Sequence, residues 1–277
     1  RQPPRWSPLT PLQPCVGRTP IFFVHPAGGA LFWYLALLQE MGPHYNAYGL
    51  QGHGLYGEQH PLTTITAMAR DYAPLICAQQ PTGPYRLVGY SIGGVIAFAV
   101  AHELQRQGAT VAQLVLLDSY LYTARLPYPG QDIADDDERF LVRLLAAVPA
   151  AEQRAVAHHL RRLPDNQARI AFLYESGRAI GRIPASYSLD AVRRMYEAMA
   201  AHVAALSTYA PQPYVGDVTL LRCIDRSESD VAPYVEWSAM VQGTVRTLAV
   251  PGKHSTLLEE PHVRTVAKLL CELFEEK

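Results

Sequence analysis

The chain has 277 residues, 49% of them hydrophobic, which suffices for one large α/β domain or two smaller ones with a substantial core. Its 24 basic and 25 acidic side chains leave a formal charge of −1, so neither nucleic acid nor an anionic membrane is indicated as a partner. The cysteines at 15, 77, 223 and 271 form no C-x-x-C pair, which argues against a disulfide framework or a zinc site and fits a reducing, cytoplasmic compartment.

The first 14 residues carry five prolines and do not begin with Met. Residues 1–17 therefore read as an interdomain linker, and the chain as a domain excised from a longer polypeptide, expected to be monomeric. From there, short apolar runs alternate with helical patterns, the signature of a mostly parallel sheet covered on both faces. Strands are expected at Ile21–Val24, Asn46–Leu50, Tyr85–Gly89, Leu114–Leu117, Val218–Ile224 and Val245–Val250. Helices are expected at Leu31–Met41, Thr66–Gln80, Gly94–Gln107 and Thr256–Glu275, the second kinked or shortened by Pro74. The longest apolar stretch, Leu87 to Ala101, is too short and too glycine-rich to span a membrane.

Between Leu117 and Val218 the alternation fails and helical periodicity takes over, at Asp136–Ala147, Ala151–Arg162, Asn166–Arg178 and Leu189–Ser207. A structureless loop of that length is implausible in a compact domain, so residues 123–209 read as a helical lid over the sheet edge, with the core formed by 18–122 and 210–277.

Gly89-Tyr90-Ser91-Ile92-Gly93 lies between a strand-like and a helix-like run. In that setting G-x-S-x-G presents a serine hydroxyl on a tight turn, where a base and backbone N–H donors can reach it. The expected chain order is Ser, then an acid, then His. His254, in the loop after the last strand, suits the base; His262 is its nearest competitor. Asp118 and Asp225 both end strands at the carboxyl edge, and order alone does not choose between them. An oxyanion hole would draw one N–H from Ile92 and one from Ala27, in the loop His25-Pro26-Ala27-Gly28-Gly29. That loop lacks the Lys and glycine spacing of a phosphate-binding loop.

These pieces resemble the thioesterase domains that end nonribosomal peptide synthetases, members of the α/β-hydrolase fold. The resemblance is carried by Leu9-Thr10-Pro11-Leu12-Gln13, Phe22 to Gly29, Tyr48 to Gly52, Gly89 to Gly94, Leu114 to Asp118, Tyr209-Ala210-Pro211 and Gly252-Lys253-His254. It implies Ser91 as nucleophile, His254 as base and Asp118 as acid. It also implies an upstream peptidyl carrier domain that delivers a peptidyl thioester on 4′-phosphopantetheine, with no cofactor or metal on the domain itself. Release would follow by hydrolysis or cyclisation. Tyr90, Tyr122, Phe172 and Tyr174, with Tyr187, are candidates to line the acyl pocket. The alternatives are a stand-alone editing thioesterase, a general serine esterase, or an inactive hydrolase fold used for binding.

Overall fold

A computed structural model describes residues 6–56, 59–122, 150–179, 181, 183, 185–225 and 235–275. Seven strands form one sheet: β1 (Leu9–Gln13), β2 (Pro20–Val24), β3 (Asn46–Leu50), β4 (Tyr85–Tyr90), β5 (Val111–Leu117), β6 (Val218–Cys223) and β7 (Val245–Val250), in the order β1-β3-β2-β4-β5-β6-β7. All neighbours are parallel except β1, which runs antiparallel to β3. The helices of the core are α1 (Leu35–Met41, entered through a 3₁₀ turn at Phe32–Tyr34), α2 (Ile65–Gln79) and α3 (Ile92–Arg106). Among the described residues, β5 is followed by helices α4 (Ala150–Arg161), α5 (Asn166–Ala179) and α6 (Leu189–Ser207), and β7 by α7 (His262–Glu275).

The two-residue period of the strands sorts side chains into two cores. On β2, Phe22 and Val24 pack with α2 and α3, whereas Ile21 and Phe23 pack with α1 and α7. On β5, Leu114 and Leu116 join the first core, while Val115 and Leu117 join the second. With both faces covered, the central strands read as continuous apolar runs, which is why they were visible in the sequence.

Two expectations need correction. Residues 9–13 do not stand outside the domain as linker: β1 is an edge strand, with Leu9 opposite Leu50 and Pro11 opposite Tyr48. Pro11 within it and Pro8 and Pro14 beside it hid it, yet an edge strand has an outward side on which a missing N–H goes unnoticed. Likewise, Pro74 neither ends nor shortens α2, which runs through to Gln79. Pro74 and Arg70, the residue whose carbonyl loses its donor, both lie on the exposed face, so the missing bond is not lost inside the core.

The expected helix at 136–147 lies outside the described residues. The other three helices of the insertion fall where expected and share their own apolar cluster, including Leu160, Ile170, Leu173, Val192, Tyr196 and Met199.

Phe98 of α3 is fully buried and packs against Tyr214 and Trp237, with ring centroids 5.5 and 5.0 Å away. Trp237 in turn donates its indole N–H to Ser119 O at 3.0 Å, beside the strand end that carries Asp118. Phe98→Ala is expected to cost about 3–5 kcal/mol of stability, read from urea unfolding midpoints at unchanged slope.

Candidate active site

Ser91 sits between β4 and α3 with φ 58° and ψ −130°, a backbone conformation that costs an L-residue of order 1–3 kcal/mol. Three glycines make the turn possible by leaving room. A Cβ on Gly89 would fall 2.1 Å from Gly93 O, and one on Gly93 would fall 2.6 Å from the carbonyl oxygens of Val24 and His25. A Cβ on Gly94 would meet Ser119 Oγ at 1.9 Å. The chain can therefore fold back tightly, with α3 pressed between β2 and the end of β5.

The serine hydroxyl lies 3.1 Å from His254 Nε2, and His254 Nδ1 lies 2.8 Å from Asp118 Oδ2. Because a carboxylate only accepts, Nδ1 carries the proton and Nε2 accepts from the serine. Tyr90 supports the imidazole from behind: its ring stacks on that of His254 with centroids 5.1 Å apart, and its hydroxyl donates to the His254 carbonyl.

Asp118 is 1% exposed and adopts φ 43°, which directs it back toward the site. Its second oxygen accepts from Cys223 N–H at 3.0 Å and from the Tyr120 hydroxyl at 3.2 Å. Burial pushes its pKa up, but the hydrogen bond and charge of His254, the Cys223 N–H and the charge of Arg222 together hold it below the ordinary carboxylate value.

Asp225, the other strand-end acid, does not reach His254. Its carboxylate accepts from Gly252 N–H at 3.0 Å and its own N–H donates to Gly252 O at 3.2 Å, clasping the loop that carries the histidine. His262 lies at the start of α7, where its ring fills the space beside Gly252, 2.7 Å from where a Cβ would stand.

The two expected oxyanion donors lie on neighbouring segments. Ile92 opens α3, where the first N–H groups have no intrahelical acceptor and the helix dipole favours negative charge. Ala27 lies in the loop after β2, the strand paired with β4 as far as Val24 and Gly89. That loop is braced by a buried network that sequence reasoning missed. His25 Nδ1–H donates to Pro26 O at 2.9 Å, so Nε2 accepts from the Tyr72 hydroxyl at 2.8 Å. Above it, the ring of His202 from α6 stacks at 4.7 Å. Seven residues earlier on the same helical face, Met195 approaches to 3.3 Å from where a Cβ of Gly28 would lie. One inserted helix thus presses on the loop at two points.

The candidate pocket residues are scattered. Tyr90 and Tyr122 are buried in the core, Tyr90 behind His254. Phe172 packs on the ring of His159 at 4.5 Å inside the insertion. Tyr174 donates its hydroxyl to Tyr187 O and lies under the Arg178 guanidinium. Among the described residues, no group of three or more His, Cys, Asp or Glu could hold a metal ion, and no helix is long and apolar enough to cross a membrane.

A seven-stranded, mostly parallel sheet with a serine on the turn after β4 and an aspartate and a histidine on the loops after β5 and β7 defines an α/β hydrolase. Within that class the chain belongs to the thioesterase domain family, whose profile matches residues 19–272. It is 31% identical over 274 residues to a dimodular nonribosomal peptide synthase of Bacillus subtilis (strain 168), covering 97% of this chain and 11% of that protein. Among solved structures it is similar to holo-AB3403, a four-domain nonribosomal peptide synthetase bound to AMP and glycine, with TM-score 0.81 and 24% identity over 98% of this chain and 20% of that one. It is also similar to the Vlm2 thioesterase domain bound with a dodecadepsipeptide, with TM-score 0.69 and 21% identity over 96% of this chain and 97% of that one.

The buried histidines make stability depend on pH. Burial holds His25 down at about 4, against the Pro26 carbonyl and with help from His53, and burial followed by the charge of His25 holds His202 well below its ordinary value. The unfolded chain takes up these protons near pH 6.5, so stability is full above that value and is lost as pH falls toward 4. The urea midpoint should drop between pH 7 and pH 5, and the drop should be smaller in His202→Phe, which keeps the ring stack but cannot bind a proton.

Proposed function

We propose that this domain ends peptide assembly by taking a peptidyl group from the 4′-phosphopantetheine of an upstream carrier domain onto Ser91 and then releasing it. The observation that carries the reading is the continuous hydrogen-bonded line Ser91–His254–Asp118 at a strand-to-helix turn, in a chain of the thioesterase family. His254 Nε2 removes the serine proton as Oγ attacks the thioester carbonyl. The negative charge that develops on the carbonyl oxygen is held by the N–H groups of Ile92 and Ala27, a kind of interaction worth about 3–4 kcal/mol per donor. As the tetrahedral intermediate collapses, the carbon–sulfur bond breaks and His254 returns the proton to the departing thiolate.

Asp118 remains ionised throughout and stabilises the imidazolium, which fits a carboxylate kept below its ordinary pKa. In the second half-reaction His254 deprotonates water, or an amine or hydroxyl of the bound chain, as it attacks the ester carbonyl. The bond to Ser91 Oγ then breaks and His254 returns the proton to that oxygen, giving a linear acid or a ring. The helical insertion, braced on the 25–29 loop by Met195 and His202, would limit access of water to the ester.

Brief exposure to a peptidyl thioester should add the acyl mass to the peptide containing Ser91, and Ser91→Ala should carry no adduct. Thiol release persisting in Ser91→Ala would assign the chemistry to another group, and faster turnover of simple oxygen esters than of carrier-bound thioesters would favour a general esterase. Asp118→Asn should lower kcat by roughly 10³–10⁴-fold, because the histidine loses the partner that orients it. Asp225→Asn, which only loosens the Gly252 clasp, should stay within about tenfold of wild type.

A further inference from the structure

Tyr34 is fully buried at the point where the 3₁₀ turn after the 25–29 loop passes into α1. Its hydroxyl donates to Val24 O at 2.5 Å and accepts from Tyr90 N–H at 2.9 Å. Those two groups end the strands that carry the two halves of the candidate site. Val24 is the last residue before the loop bearing Ala27, and Tyr90 is the residue before Ser91.

Val24 and Gly89 are the last residues at which β2 and β4 pair with each other. The next backbone donors serve the outer neighbours: His25 N–H bonds to Leu50 O of β3, and Ser91 N–H to Leu117 O of β5, each at 3.0 Å. The Tyr34 hydroxyl bridges the two strand ends at the point where their mutual pairing stops. It also closes the segment from 24 to 34 on itself, so that Ala27 sits in a loop pinned at both ends. A phenolic hydroxyl has one donor and two acceptor lone pairs, and burial pushes its pKa far up, so it fills both roles at any working pH.

We propose that Tyr34 is a positioning residue for catalysis: its hydroxyl sets the gap between the nucleophile turn and the loop that supplies the second oxyanion donor. The proposal rests on the acyl-transfer reading of Ser91. Stabilisation of a tetrahedral oxyanion depends on donors fixed before charge develops, so losing the tie weakens the transition state more than the bound substrate.

The test uses Tyr34→Phe, which removes one oxygen and leaves the ring packing in place. Tyr85→Phe serves as control, because its buried ring also carries a hydroxyl, bonded to Gln80 O at the opposite end of β4. Turnover of a peptidyl thioester is measured per active site titrated with a fluorophosphonate. Inhibition by a peptidyl boronic acid, which forms a tetrahedral adduct on the serine, is measured alongside.

We expect Tyr34→Phe to lower kcat by about tenfold or more with KM nearly unchanged, and to weaken the boronic acid in the same proportion. Tyr85→Phe should lose stability while keeping kcat and inhibitor affinity. Wild-type kcat and inhibitor affinity in Tyr34→Phe, with Ser91 acylated normally in both proteins, would overturn the positioning role and leave the thioesterase reading standing. Absence of acylation at Ser91 in the wild-type protein would instead remove the reading on which the role depends. Should Tyr34→Phe not fold, Tyr34→4-aminophenylalanine retains a donor toward Val24 O but is a poor acceptor for Tyr90 N–H. Its kcat should then fall below wild type at unchanged KM, and a wild-type kcat would overturn the proposal.

Discussion

The backbone of Ser91 is held where an L-residue does not rest by itself, and the surrounding structure is arranged to keep it there. At φ 58° and ψ −130°, β4 turns into α3 without an intervening loop, and only packing on every side sustains that turn. Gly93 rests on the carbonyls of Val24 and His25, and Gly94 on the hydroxyl of Ser119. The helix that follows is buried along almost its whole length from Ile92 to Leu104. It cannot relax away from the sheet without opening the core, so the strain is borne by the whole domain rather than by the turn.

From this fixed point the sheet order distributes the remaining groups. β2 and β5 flank β4, so the loop with Ala27 and the strand end with Asp118 arrive on either side of the serine. His254 comes from beyond β7, two strands past β5, and must reach back across β6. Two contacts with the end of β6 guide it: Cys223 N–H holds the free oxygen of Asp118, and Asp225 clasps Gly252 at the root of the histidine loop. The acid that does not touch the histidine therefore still has a structural part, shaping the loop on which the histidine stands.

The inserted helices are less independent than their own apolar cluster suggests. α6 lays Met195 and His202 on the 25–29 loop, and His202 meets a histidine that is itself held neutral by burial. Burial holds both imidazoles of the stack neutral near pH 7, so protonation in acid opposes this junction between insertion and core. The same loop thus receives restraint from α2 through Tyr72, from α6, and at its root on Val24 from Tyr34 in the 3₁₀ turn before α1, which is more than a surface connection needs.

Local pattern sufficed for much of this. Doubly covered parallel strands announce themselves as apolar runs, and the glycines around Ser91 mark a turn that only close packing requires. The order of serine, acid and histidine followed from the alternation of strands and helices. Edge strand β1 was hidden because Pro11 within it and Pro8 and Pro14 on either side contradict strand propensity, and only its pairing with β3 compensates for them. Chain order alone left Asp118 and Asp225 open, since both follow parallel strands one position apart in the sheet; the family resemblance implied Asp118, while the distances to His254 depend on how the loops fold over the edge. Tyr34 and the pair His25–His202 left no local signal at all: Tyr34 joins Val24 and Tyr90 through two buried hydrogen bonds, and His202 stacks on His25 from a distant helix, and such contacts exist only once the core has packed. Sequence by itself determined the class of fold, the tight strand-to-helix turn at Ser91 and the placement of His254 after the last strand, because these rest on periodicity and on conformations that few residues can adopt. Tertiary structure decided the distances, with Asp118 against His254 while Asp225 clasps Gly252, and what holds the 25–29 loop in place, because both are matters of distance between segments that do not adjoin in the chain.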